Sequence, residues 1–354
     1  MPVANPYIGL PPRAFWRTGV AEESPFDVKD IYRRKFEIGA DDKIATAGSC
    51  FAQHIGRVLK RSGYSVLDFE PPPPWLPADL HLQYGYSTYS ARYGNIYTVA
   101  QLAQLAAECV GAFSPTETAW ARGDRFVDPF RPSIEPEGFS SADEVSLARR
   151  FHLQQVRALF RTMDVFVFTL GLTETWLHAP SGAFLPSPPG VLGGTFDDQT
   201  YRFVNLKYGE VQAHFARFLE ALSRIREGRR LKIILTVSPV PLTATASGDH
   251  VLPATSYSKS VLRAVAGDLA ATHDLIDYFP SYEIITNPAA HATFFDSNLR
   301  TVRPAGVQAV MDTFFAAHRP LRDAAGSPSQ TTTREASASN ADVQCEEALL
   351  EAFA

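Results

Sequence analysis

Short apolar runs alternate along this chain with longer segments whose apolar positions recur three and four residues apart. Lys43–Ala47 (KIATA), Asp164–Leu170 (DVFVFTL), Leu231–Val237 (LKIILTV) and Leu275–Tyr278 are nearly continuous apolar runs. Such runs mark strands buried on both faces, as in a parallel sheet. Tyr64–Phe69 is a further strand candidate, stopped by EPPPPWLP, because proline cannot continue a ladder. Helical spacing predicts helices over Cys50–Arg61, Val99–Cys109, Val211–Arg226, Ser258–Thr272 and Pro304–Ala317. A long helix is also expected over residues 140–163, opened by Ser141 and Asp143 as caps. Strands alternating with helices predict an α/β fold, a doubly wound and mostly parallel sheet covered on both faces. Long loop insertions are expected at about 75–98, 112–138 and 176–205.

The aperiodic, Pro- and aromatic-rich residues 1–40 are expected to form an arm packed on a single domain over 41–320. The small polar stretch within 324–342 cannot bury enough to order itself, which predicts a flexible tail. In the rest of the 324–354 segment, VQCEEALLEAFA has helical spacing, compatible with a short terminal helix that docks on the domain or takes a protein partner.

Composition narrows the function. A formal net charge of -5 argues against a nucleic-acid partner, which would call for a basic excess. Three cysteines make no disulfide framework and fit a reducing compartment. With neither a basic segment leading into an apolar core at the N-terminus nor an apolar run of about 20 residues, no membrane span and a cytoplasmic location are expected. No metal-ligand spacing and no glycine-rich phosphate loop is present, so no metal and no cofactor are expected.

In a doubly wound sheet, ligands bind at the carboxyl ends of the strands. Three such ends carry unusual polar residues: Gly48-Ser49-Cys50, Gly171-Leu172-Thr173-Glu174-Thr175-Trp176, and Ser238-Pro239-Val240-Pro241. In parallel strands they meet at one edge. Ser49 would sit at a helix N-terminus, where N–H groups and the dipole favour developing negative charge, as a nucleophile or as an ordinary N-cap. Cys50 is a competing nucleophile, but a packing role suits a residue so often buried.

AGSCFAQHIG resembles the signature of the GSCFA family, related to the SGNH (GDSL-like) esterases and acyltransferases. YGNIYT, TLGLTETW, SPVPL, SKSVLR and YFPSYEI resemble further family blocks in the same order, together covering about residues 40–315. The resemblance implies an SGNH-like three-layer sandwich with Ser49 as nucleophile. It places oxyanion or substrate-binding groups at Gly94, beside Asn95, and at Thr173 and Glu174, where Thr173 stands in for the usual asparagine. The Asp-x-x-His that supplies the base in SGNH enzymes is missing. Arg300 and Arg303 occupy that neighbourhood, and His291 lies on the wrong side of Asp296.

A serine needs a base. Of nine histidines, His250, in a polar loop after Leu231–Val237, is favoured over His54 on the helix after Ser49, with His291 third. Ser258 and Lys259 offer a Ser/Lys alternative, against a capping Ser258 and a solvent-facing Lys259. The expected function is an acyl ester hydrolase or acyl transferase acting on a small-molecule or glycan ester. The alternative is a glycan- or partner-binding protein on the same fold that has lost its base.

Overall fold

The computed structural model describes residues 5–319 and 346–353. The tail expected over 324–342 lies outside the described residues. In chain order the elements are β1 (Ile44–Gly48), α1 (Phe51–Arg61), α2 (Val99–Cys109), β2 (Trp120–Arg122), β3 (Arg125–Val127), α3 (Ala142–Thr162), β4 (Val165–Leu170), β5 (Glu174–His178), β6 (Ala183–Leu185), β7 (Tyr201–Asn205), α4 (Tyr208–Arg226), β8 (Lys232–Val237), α5 (Val251–Thr272), β9 (Ile276–Tyr278), α6 (Ser281–Thr286) and α7 (Pro304–Ala317). A closing 3₁₀ segment spans Glu346–Phe353.

The architecture is the expected doubly wound α/β sandwich. The central sheet has the order β1-β4-β8-β9 and every pairing in it is parallel. On β4, side chains alternate between two cores. Phe166, Phe168 and Leu170 face α2, α3, α4 and α5, whereas Val165 and Val167 face α1, α6 and α7. Burial on both faces explains why β1, β4 and β8 read as continuous apolar runs.

The insertions form their own small sheets, a β2-β3 hairpin and an antiparallel β6-β5-β7 unit. Thr98 caps α2 in a capping box with Gln101, and the Ser141 hydroxyl accepts from Glu144 N–H at the start of α3. Tyr32, from the segment before β1, donates its hydroxyl proton to Asp277 at 2.9 Å. No helix among the described residues is long and apolar enough to cross a membrane.

Two expectations fail. Residues 64–69 form only a bridge between Val66 and Ile44, held by Ile44 N–H to Ser65 O and Leu67 N–H to Ile44 O, each 2.8 Å. The prolines that follow leave this edge segment too short to extend the ladder. Helix α5 begins at Val251 rather than Ser258, because Pro253 falls in its first turn, where a missing N–H costs nothing. Ser258 and Lys259 therefore lie inside the helix and are both buried, so neither the capping Ser258 nor the solvent-facing Lys259 is found.

Candidate functional site

Ser49 follows β1 and leads toward α1 at the carboxyl edge of the sheet. Its N–H donates to Thr169 O at 3.3 Å, and its carbonyl accepts from Ala52 N–H at 2.8 Å and from the Tyr89 hydroxyl at 3.0 Å. The side chain, by contrast, is 3% exposed and its Oγ has no hydrogen-bond partner among the described residues. Ser49 is thus no side-chain cap; α1 starts after Cys50, which makes no side-chain cap bond either. Cys50 is buried and in no disulfide.

Two glycines let the other backbone reach Ser49. Gly48 has φ +137°, and a Cβ there would lie 2.4 Å from Thr169 O. A Cβ on Gly171 would lie 2.9 Å from Ser49 Cβ and 3.4 Å from Ser49 Oγ. The turn after β4 is therefore packed directly on the serine.

That turn is pinned from several directions. Gly171 N–H and Leu172 N–H both donate to Tyr97 O, at 3.1 and 2.9 Å. Thr173 N–H donates to the Ser258 hydroxyl at 2.9 Å, and Lys259 Nζ donates to Gly171 O at 2.7 Å. The Ser258–Lys259 pair thus reaches the site from α5, with Lys259 only 2% exposed.

The oxyanion candidates fall into two groups. The Thr173 hydroxyl donates to Asn205 Oδ1 at 2.7 Å, which commits it to the insertion sheet. Glu174 accepts from the Thr245 hydroxyl at 2.7 Å, and burial raises its pKa. Gly94 is half-buried with φ +66°. Asn95 is buried, and its Oδ1 accepts from the Tyr89 hydroxyl at 2.5 Å and from Gln53 Nε2 at 3.2 Å. Those two bonds orient the amide, and Tyr89 ties it to Ser49. Tyr89 and Gln53 are site residues that sequence reasoning missed, whereas Lys259, expected either as the base of a Ser/Lys pair or facing solvent, is a buried clamp on the turn. The apolar stripe of α5 was the sequence signal for the burial of Lys259.

No histidine hydrogen-bonds to Ser49 Oγ. His250 is exposed and caps α5, its Nδ1 accepting from Leu252 N–H at 3.1 Å. His54 packs on Phe51, and burial, then Arg57, holds its pKa down to about 4. His291 is exposed with φ +44°. In the loop before α7, Arg303 pairs with Asp296 at 3.1 Å and Arg300 Nε reaches Pro241 O at 3.3 Å.

A buried charge network braces the insertions behind the site. His152 Nδ1 meets Glu70 at 2.7 Å, Arg131 meets Asp128 at 2.7 Å, and Arg149 meets Glu108 at 2.6 Å. Burial and then Arg131 hold His152 down to about 4, so at neutral pH it is an uncharged donor to Glu70. Burial works to raise the Glu70 pKa, but His152, Arg131 and Arg92 N–H bring it down to about 2. No group of three or more His, Cys, Asp or Glu able to hold a metal occurs among the described residues.

A family model described as the GSCFA family matches residues 43–314. A search of curated proteins finds no match.

Proposed function

The chain belongs to the GSCFA family, and on that footing we propose that it is an acyl ester hydrolase or acyl transferase with Ser49 as its nucleophile. What supports this is the Ser49 hydroxyl itself. It is buried at the carboxyl edge of the sheet, beside a helix N-terminus, with no hydrogen-bond partner among the described residues. Leaving a buried hydroxyl unpaired costs about 1–3 kcal/mol, which neither packing nor capping would offset. Such orphans call for a functional account.

In this reading Ser49 Oγ bonds to the acyl carbon and gives its proton to a histidine. The ester C–O bond breaks and the alcohol leaves with that proton. Water, or an acceptor hydroxyl, then takes the acyl group by the reverse path. Asn95 and Gly94 suit the oxyanion better than Thr173, whose hydroxyl is committed to Asn205. Catalytic hydrogen bonds are often unmade before substrate binds. His250, with Nε2 as the ring atom that would take the proton, fits the base better than His54, which burial makes a weak one. A carbohydrate or glycan ester is the substrate class that the SGNH likeness brings.

A second reading is favoured by one observation, the lack of any histidine on Ser49 Oγ: a binding protein on this fold without chemistry. A fluorophosphonate probe separates the two. Labelling of the wild type, lost in Ser49→Ala and slowed at least tenfold in His250→Ala, is expected for the enzyme. No labelling of the folded wild type, with glycan binding retained in Ser49→Ala, would establish the binding protein instead.

A further inference from the structure

A cavity of about 150 Å³ opens at the same sheet edge, beginning at Leu172, the residue after the glycine packed on Ser49. Leu172, Trp176, Phe203 and Leu242 form apolar walls, and Leu350 of the closing segment contributes to one side. Trp176 is held edge-on between Phe196 and Phe203, with ring centroids 5.4 and 5.8 Å away, so this wall is already formed.

The polar groups of the lining differ in one decisive way. Glu174 and Thr245 hydrogen-bond to each other, and Thr245 also pairs with Ser247. They are already engaged with one another, and neither is among the unpartnered buried groups. Ser187 lines the same cavity, is 6% exposed, and its Oγ has no partner among the described residues. An apolar cavity of about 150 Å³ accommodates a six-carbon ring such as benzene. The walls therefore call for hydrocarbon, and the one orphaned hydroxyl calls for a single polar atom.

We propose that this cavity binds a compact apolar group of about six carbons carrying one hydrogen-bonding atom that meets Ser187. If Ser49 is the nucleophile, as proposed above, this is where the acyl group of the ester sits, and the sugar or other alcohol lies outside it.

Cyclohexanol and myo-inositol have the same ring and opposite polarity, which makes them direct probes in isothermal titration calorimetry on the full chain. Ser49→Ala protein keeps the measurement independent of any acyl chemistry. Cyclohexanol is expected to bind and inositol not. Ser187→Ala should weaken cyclohexanol three- to tenfold, the worth of one hydrogen bond, and leave benzene binding unchanged. Ala244→Trp, at an exposed rim position that the fold does not need, should weaken both cyclohexanol and benzene at least tenfold.

Absence of cyclohexanol binding, inositol binding as tight as cyclohexanol, or indifference to Ala244→Trp would overturn the proposal. Rates with p-nitrophenyl acetate and hexanoate read the same cavity in wild-type protein. A hexanoate preference that falls at least tenfold in Ala244→Trp supports the acyl assignment. Cyclohexanol binding in protein that hydrolyses neither ester supports the cavity and overturns the role of Ser49, so the two failures are distinct.

Discussion

Replacing Gly171 by alanine tests how tightly Ser49 is held. Gly171 does not have a positive φ, so the backbone tolerates a side chain and the whole penalty is steric. The new methyl would lie 2.9 Å from Ser49 Cβ and 3.0 Å from Tyr97 O, whereas carbon contacts are favourable near 3.5–4.0 Å. Neither neighbour yields easily. Ser49 is fixed through its N–H and carbonyl, and Tyr97 O holds two N–H groups of the same turn. Forcing one methyl into such a site costs about 1–3 kcal/mol.

Urea unfolding of Gly171→Ala should show that loss, and fluorophosphonate labelling of Ser49 well below the midpoint should slow at least tenfold. In a Ser49→Gly background one of the two clashing atoms is gone. The cost of Gly171→Ala should then shrink by about 0.5 kcal/mol or more, the size expected for residues in contact. An equal loss in both backgrounds would show that the turn does not press on the serine. Unchanged stability and labelling in the single variant would refute the packing argument outright.

Lys259→Met keeps the buried stem but removes the bond to Gly171 O. The stranded carbonyl costs about 1–3 kcal/mol and the removed charge offsets part of it, so the net change should stay within about 2 kcal/mol. Ser49 labelling should nonetheless slow at least tenfold, and full-rate labelling would count against the clamp. His152 predicts an acid limb in stability. Its folded pKa of about 4 lies below the ordinary 6.5, so the unfolded chain takes up the proton first. Its contribution is complete above about 6.5 and is lost as pH falls toward 4, by about 3 kcal/mol in all. Unfolding free energy should therefore drop about 2–3 kcal/mol more between pH 7.5 and 4.5 in wild type than in His152→Gln, and equal drops would contradict the assignment. Glu70 adds its own loss only in the lower window from about 4.5 to about 2.

Where the physics is local, the sequence was readable. Burial on both faces left β1, β4 and β8 as unbroken apolar runs, and their parallel order brings Ser49, the 171–173 turn and the residues after Val237 to one edge. The strand expected at 64–69 failed because a ladder depends on what stands beside it, and the one bridge the segment makes among the described residues is to Ile44. Lys259 was partly legible. Extended toward the N-terminus, the apolar stripe of Leu262, Val265, Ala266 and Leu269 runs through Ser258 and Lys259, and all six are buried. The polar run before it, and Pro253 inside it, hid that extension. Nothing in the sequence could reveal that the Thr173 hydroxyl is spent on Asn205 while the amide of Asn95 is set by Tyr89 and Gln53, since those pairs lie 32, 6 and 42 residues apart.

Those allotments bear directly on the missing histidine. Around Ser49 the protein satisfies nearly every backbone group: Ser49 N–H by Thr169 O, Ser49 O by Tyr89, Gly171 and Leu172 N–H by Tyr97 O, Thr173 N–H by Ser258, Gly171 O by Lys259. These bonds come from β4, from the 89–97 stretch and from α5, so the tertiary fold fixes the serine's surroundings in addition to the Ala52 N–H of its own helix. Among the described residues the Ser49 Oγ has no partner, and neither do the Thr46 and Thr169 hydroxyls beside it on β1 and β4. What sets Ser49 apart from those two threonines is its place, after the strand at the carboxyl edge and before the first turn of α1. On the reading proposed above, His250, exposed at the end of the loop after β8, is the group that would have to reach Ser49 Oγ when substrate binds.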